Sequence, residues 1–414
     1  MKHTRRTRAP EAACLPRRSL WGVFLLLALV LAASGCARYG AYNVGSTAIL
    51  QAQQEIPENQ LLDVAIVPFD SAETKGENED AQPDIRKAEG NFMAVHLKNT
   101  LQRSAQWGAV RVVPSPDNSM ELQVRGKILE SNGERLAVEI EATDATGRTW
   151  LKKIYAAEAG DGSFSGNRPG EKDAFQDLYN AIANDLARYR MQLTPEQVVD
   201  IRTVARLKFA RDFAPEAFSQ YLADDSGGRL KVNRLPAPND TMMQRLMQVR
   251  EREYMYLDTL NGYYDNFYTR MWPSYENWRQ LNREERIARR RVQREAVTRQ
   301  LLGALMVAGA IAMGVSDVDN TGALQTGMII VGTQVFVNGI NISHEARIHS
   351  DAIRELGDTF GSEMKPVVMD LEGKQVELTG SAKEQFEKWK DLLRRIYRAE
   401  TGFVEETPAA PAKQ

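Results

Sequence analysis

The stretch that most constrains the fold is LQVRGKILESNGERLAVEI, residues 122–140. Leu122, Val124 and Ile128 alternate with polar residues, and Leu136, Val138 and Ile140 do the same. Period-two alternation means strands buried on one face. Between them stands Asn132-Gly133, a pair suited to the positive φ of a tight hairpin turn. Asp144-Ala-Thr-Gly147 then reverses the chain into Trp150–Tyr155. A three-stranded antiparallel meander is the expectation.

The neighbouring segments extend that sheet into an α+β domain over 61–191. Leu61–Phe69, LLDVAIVPF, is a β-branched run closed by Pro68 and Asp70, a buried strand. Ala88–Ser104 carries Phe92, Met93, Val95, Leu97 and Leu101 at helical spacing, and Val110–Val113 reads as a short strand. Phe175, Leu178, Ile182, Leu186 and Tyr189 mark an amphipathic helix. Strand, helix, strand, meander and helix predict helices layered on a sheet. The order and the VAIVPF strand resemble the small domain of curli-channel lipoproteins, penicillin-binding-protein activators and the TolB amino-terminal domain. That resemblance implies binding to other envelope proteins or ring assembly, and transfers no catalytic residue.

Upstream, Arg17 and Arg18 precede an apolar run, Leu20–Ala33, of signal-peptide length and too short to span a bilayer comfortably. It ends in Ala33-Ser34-Gly35-Cys36, which resembles the lipobox of bacterial lipoproteins. The resemblance implies cleavage between Gly35 and Cys36, acylation of the Cys36 thiol and a membrane-held body. Ala37 in place of aspartate implies, by enteric-type sorting, the outer membrane facing the periplasm. Residues 1–35 are then a signal peptide and 36–60 a lipidated tether. An ordinary signal peptide or a membrane anchor is the alternative. Cys14 leaves with the signal, so the exported chain has no disulfide to form and must be stable by packing alone. The whole chain carries 53 Lys+Arg and 55 Asp+Glu. Losing the leader removes mostly arginine and leaves a body of about −7, which argues against a nucleic-acid partner.

From Thr194 the pattern turns helical, and 192–280 is expected as a helical domain. Thr194-Pro-Glu-Gln197 is a capped helix start. Pro215 opens a short helix, Ser226–Asn239 reads as a loop, and Asn239 or Asp240 caps a long helix that Pro273 interrupts. Tyr254–Trp278 is crowded with aromatics, expected as helix–helix core. Eight arginines follow, from Arg279 to Arg299, offset by Glu284, Glu285 and Glu295. A solvated helical face is the default; Arg286, Arg289, Arg290 and Arg294 are the candidates for an acidic partner or lipid headgroups.

Residues 301–315, LLGALMVAGAIAMGV, and 322–339, GALQTGMIIVGTQVFVNG, contain no charge. The segment 281–360 is expected to hold the basic helix and an apolar helical hairpin. Ala304, Ala308, Ala312, Gly314, Gly327 and Gly332 would form its small-residue seam. Burial in the body, oligomerisation and membrane insertion all remain open for it, as does a strand over 331–342. Residues 361–404 should form a β-hairpin and closing helix, and 405–414 a disordered tail.

No CxxC pair, HExxH, P-loop or G-x-S-x-G elbow occurs. His344 and His349 do not share a helix face and His96 stands alone, so no metal and no cofactor are expected. The reading is a non-catalytic envelope lipoprotein, an interaction or scaffold protein whose partner is another envelope protein or itself. A homo-oligomeric secretion or pore accessory built through 301–339 is the second reading, and a carboxylate-based hydrolase a distant third.

Overall fold

The computed structural model describes residues 42–71, 83–117, 119–160, 162–164, 172–225, 227–312, 347–360, 366–371 and 374–401, and of 295–312 the backbone only. Cys36, Gly35, Gly314, Gly327 and Gly332 lie outside the described residues, as does most of the expected hairpin.

The sheet is mixed and seven-stranded, in the order β1-β7-β6-β5-β2-β4 with β3 on β5. Its strands are β1 (Tyr42–Asn43), β2 (Val64–Ile66), β3 (Asp70–Ser71), β4 (Val110–Val112), β5 (Leu122–Ser131), β6 (Arg135–Asp144) and β7 (Thr149–Glu158). The expected meander is β5-β6-β7, antiparallel throughout. Gly133 has φ +76° and Gly147 φ +87°, so each turn places its glycine in the left-handed region. The Asn132 side chain accepts from the amides of Glu134 and Arg135, and Asp144 from those of Thr146 and Arg148. These Asx contacts fix both turns locally.

β2 lies between two parallel neighbours, β4 and β5, and is buried along its whole length. Helix α1 (Pro83–Arg103) joins β2 to β4 and is covered on nearly every side. Helix α2 (Gln176–Met191) and helix α3 (Pro195–Phe213) complete the layer. Thr194 caps α3 with the full reciprocal box: its side chain accepts from the Gln197 amide, and Gln197 reaches back. The α+β class is therefore the observed one.

Several expected boundaries do not exist. The chain from Tyr42 onward is one compact unit, because Val198, Ile201 and Val204 of α3 share a core with the sheet. No break separates 61–191 from 192–280. The expected tether is docked from residue 42. β1 pairs with β7, and the next residues run along α2. There Asp177 and Asn184 accept from the amides of Thr47 and Leu50, and Asn180 and Asn184 donate to the carbonyls of Thr47 and Ala48. Glutamines and small residues there carry no apolar pattern because polar side chains of α2, a carboxylate and two amides, hold the strap. β8 (Leu222–Asp224), just before the expected loop, and β9 (Leu230–Val232), within it, form a small hairpin.

The largest correction is helix α4, Thr241–Ala312, a single helix of 72 residues with Pro273 inside it. At 1.5 Å per residue it is about 110 Å long. Asp240 caps it, accepting from the Met243 amide. Pro273 is exposed. It forfeits one backbone hydrogen bond, which the long buried stripe on either side offsets. That stripe runs through Leu246, Val249, Tyr256, Leu260, Tyr264, Phe267, Met271, Tyr275 and Trp278. The aromatics are core, as expected.

α4 crosses the edge strand β4, whose exposed backbone it satisfies: Asn261 accepts from the Val112 amide and donates to the Val112 carbonyl. Helix α5 (347–360) returns beside α4, with Phe360 packed on Tyr264 and Phe267 and Ile353 in the core with Met271 and Tyr275. The hairpin β10 (Val367–Leu371) and β11 (Lys374–Leu378) and helix α6 (Ala382–Thr401) close the fold as expected. Phe386, Trp389, Leu393 and Tyr397 of α6 pack into the proximal half of α4 and the end of α3.

Candidate functional site

α1 and α4 are joined by polar contacts inside an otherwise apolar seam. Lys98 pairs with Asp265 at 2.5 Å, and the His96 Nδ1 lies 2.7 Å from the Tyr268 hydroxyl. The Tyr275 hydroxyl donates to Glu89 at 2.8 Å, and Glu89 also accepts from Ser131. Lys98, His96, Glu89 and Tyr275 are buried, and a buried polar group is tolerable only when partnered. The seam therefore fixes α4 in one register on the body.

The most deeply buried ion pair of α4 is with the loop before α2. Arg279 donates to Asp173 through both terminal nitrogens, at 3.2 and 2.6 Å, with side chains 1% and 0% exposed. Burial would raise the Asp173 carboxyl. The charges of Arg279 and His96 and the Arg279 and Phe175 hydrogen bonds together outweigh it and hold the carboxyl at about 2. Arg279 also lies over the Tyr275 ring at 4.2 Å, and its guanidinium is held charged beyond its ordinary value. Beside the pair, His96 is pushed down to about 4, foremost by burial, and so stays neutral at pH 7. Its Nε2 lies 3.0 Å from Gln176 Oε1.

Arg279 thus departs from the expected solvated face; it is a core residue, because the helical stripe still points inward at that position. Beyond it, no described residue of α4 is buried. Gln280 to Arg294 are exposed or half-buried, and Ile287 and Val292 are each 39% exposed. The four candidate arginines lie here. Arg289 pairs with Glu285 one turn before it, and Arg290 with Glu134 in the β5–β6 turn. Arg286 and Arg294 lie on the same helix row as Arg290, at spacings of four. From Gln280 to Ala312 the helix extends about 50 Å. Ala304, Ala308 and Ala312 stand on that length at one-turn spacing, so the backbone places them together. Among the described residues, no helix is long and apolar enough to cross a membrane.

A second polar knot anchors the other end of α4. Lys390 of α6 donates to Asp117 at 3.2 Å, and Arg250 donates to the Ser119 carbonyl at 3.0 Å and to the Tyr254 hydroxyl at 2.7 Å. Glu253 is buried among them. Burial first, and the charge of Asp117 second, push its carboxyl up to about 8, against Lys390 and Arg250. α4 is pinned at both ends of its packed half, and from Gln280 to Arg294 none of its residues is buried.

An open cleft of about 820 Å³ borders the Arg279–Asp173 pair, between the 46–51 strap, Arg103 and the start of α2. Three of its polar groups are engaged with one another: Gln176 accepts from Arg103 and donates to Asn180. Among the described residues no group of three or more His, Cys, Asp or Glu could hold a metal ion. Asp173, His96, Gln176 and Glu253 were invisible as a set in the sequence, since their partners lie far along the chain. The one local signal was a charge, such as Glu89 or Lys98, standing inside an apolar helical pattern.

The chain matches no protein-family model and no curated protein.

Proposed function

We propose that this chain is a lipid-anchored bacterial envelope protein that acts by contact, as an interaction or scaffold protein. In this reading the α+β body is a mount and the distal part of α4 is the contacting element. The supporting observation is that α4 is one continuous helix whose buried stripe ends at Arg279. A helix needs no length beyond its own core for stability, so the roughly 20 Å from Gln280 to Arg294, where no side chain is buried, is length for meeting something else. The Cys36 lipobox resemblance supplies the address, an outer membrane facing the periplasm.

Site-specific photocrosslinking in cells tests this. A photoreactive residue at Val292, on the exposed length, should capture an envelope component, protein or lipid. One at Val199, exposed on α3, should not. Adducts from Val199 with none from Val292 would overturn the assignment.

A second reading is a homo-oligomer built through the apolar end. What favours it is the placement of Ala304, Ala308 and Ala312 at one-turn spacing on the same continuous helix, beyond Arg279. Small residues allow close helix approach. The lipidated protein in detergent should then run as a ring or higher oligomer that Ala308→Leu with Ala312→Leu dissociates. A monomer would contradict it.

A further inference from the structure

We propose that the arginine row of α4 docks on an anionic phospholipid surface, that of the membrane holding the lipid anchor. This rests on the lipid-anchored reading above and names the partner of its exposed helix.

Arg283, Arg286, Arg290 and Arg294 recur at spacings of three and four, one row of the helix, with Arg289 and Arg291 beside it. Between Gln280 and Gln300 seven arginines face three glutamates. The rest of the exported chain is acidic, so this is its positive end. Exposed Ile287 and Val292 stand among the arginines. A basic helix with apolar side chains is the composition of an interfacial helix. The ion pairs of Arg289 with Glu285 and Arg290 with Glu134 sit at the surface. Such pairs are weak, and arginine exchanges them readily for phosphate oxygens.

The sheet register chooses a membrane over an acidic protein. Arg290 meets Glu134, and the adjoining Arg135 pairs with Glu158 at the end of β7. Two residues back on β7, Ala156 pairs with Asn43 of β1. By strand spacing, Asn43 and Arg135 are roughly 12 Å apart. Only five residues, 37–41, separate Cys36 from Tyr42, a reach of at most about 20 Å. By chain length alone, Cys36 stays within roughly 30 Å of Arg135. A bilayer that holds the anchor is always within range of the row, at the high effective concentration of a tethered partner.

The test uses the lipidated protein in vesicles, with Val292→Cys carrying an environment-sensitive fluorophore. Acylation leaves Cys36 without a thiol, so the label has one target. Vesicles are zwitterionic phosphatidylcholine, alone or with phosphatidylglycerol. The label should become shielded from aqueous quencher only with phosphatidylglycerol, and shielding should fade at high salt. Arg286→Gln, Arg290→Gln and Arg294→Gln together should lower the docked-to-undocked ratio roughly a hundredfold, at about 1 kcal/mol per arginine. Equal quenching in both vesicles, or shielding unchanged in the triple variant, overturns the proposal. So does shielding by polyglutamate but not by phosphatidylglycerol, which would assign the row to an acidic protein. Flotation with the vesicles is read in the same samples. Its loss would count against the lipid anchor, and intact flotation with an unshielded label against the docking alone.

Discussion

Arg279 and Asp173, separated by 106 positions in the chain, form a two-point ion pair buried where α4 leaves the body. The pair joins the loop before α2 to the last packed turn of α4. It sets where core ends and exposed helix begins. Breaking one partner of a buried pair leaves the other charge uncompensated, at a cost of about 3–5 kcal/mol. Asp173→Asn or Arg279→Met alone should lose stability of that size in urea unfolding. Asp173→Leu combined with Arg279→Met should recover much of it. A single-variant loss under about 1 kcal/mol would mean the pair behaves like a surface one.

His96 gives the fold an acid-sensitive term. Its folded value of about 4 lies below the ordinary imidazole value of 6.5. The unfolded chain therefore binds a proton that the folded one refuses, and stability falls as pH drops from 6.5 toward 4. Between pH 6.5 and 5 the loss is about 2 kcal/mol. His96→Asn should remove this slope, measured as the stability difference between the two proteins across that range. Asp173 acts lower: its contribution is complete above the ordinary carboxylate range and lost as pH falls toward about 2. A parallel pH dependence in wild type and variant would contradict the His96 assignment.

Glu253 works in the opposite sense. Its carboxyl sits at about 8 in the fold, facing Arg250 on its own helix, Lys390 on α6, Asp212 on α3 and Asp117 before β5. A raised folded value means stability is full below the unfolded value and lost as pH rises through about 8. Glu253→Gln should gain on wild type by about 2–3 kcal/mol between pH 6 and pH 8. A constant difference across that interval would show that Glu253 is not held neutral.

Gly133 has two constraints at once. Its φ is +76°, and a Cβ there would collide with the Arg279 carbonyl oxygen. The β5–β6 turn thus packs backbone to backbone against the root of the exposed helix. Gly133→Ala should cost on the order of 2 kcal/mol or more by thermal unfolding. Gly147→Ala, with φ +87° and open space around it, should cost only the backbone strain. Equal losses at the two glycines would remove the close approach from the account.

What could be read ahead of the structure was local. Thr194 and Gln197 lie three apart and cap each other, and Asn132, Gly133 and Gly147 define turns with their own side chains and φ preferences. The Leu246–Trp278 stripe carries its burial in its spacing. The misreadings have physical causes. Pro273 breaks a helix only when flanking packing cannot offset one lost hydrogen bond, and here it can. The 42–60 strap is held by Asp177, Asn180 and Asn184, whose role depends on a chain 130 positions away. Arg279 looks like its neighbours Arg283 and Arg286 in sequence. Only Asp173, distant in the chain, makes it a core residue.

The account rests most heavily on Cys36, because the address and the arginine row's partner both follow from acylation there. Metabolic labelling of the full chain in bacterial cells with a clickable palmitate analogue tests it directly. The label should be carried by the wild-type protein and absent from Cys36→Ser. Wild-type protein without label, or Cys36→Ser that keeps it, would contradict the lipid-anchored reading.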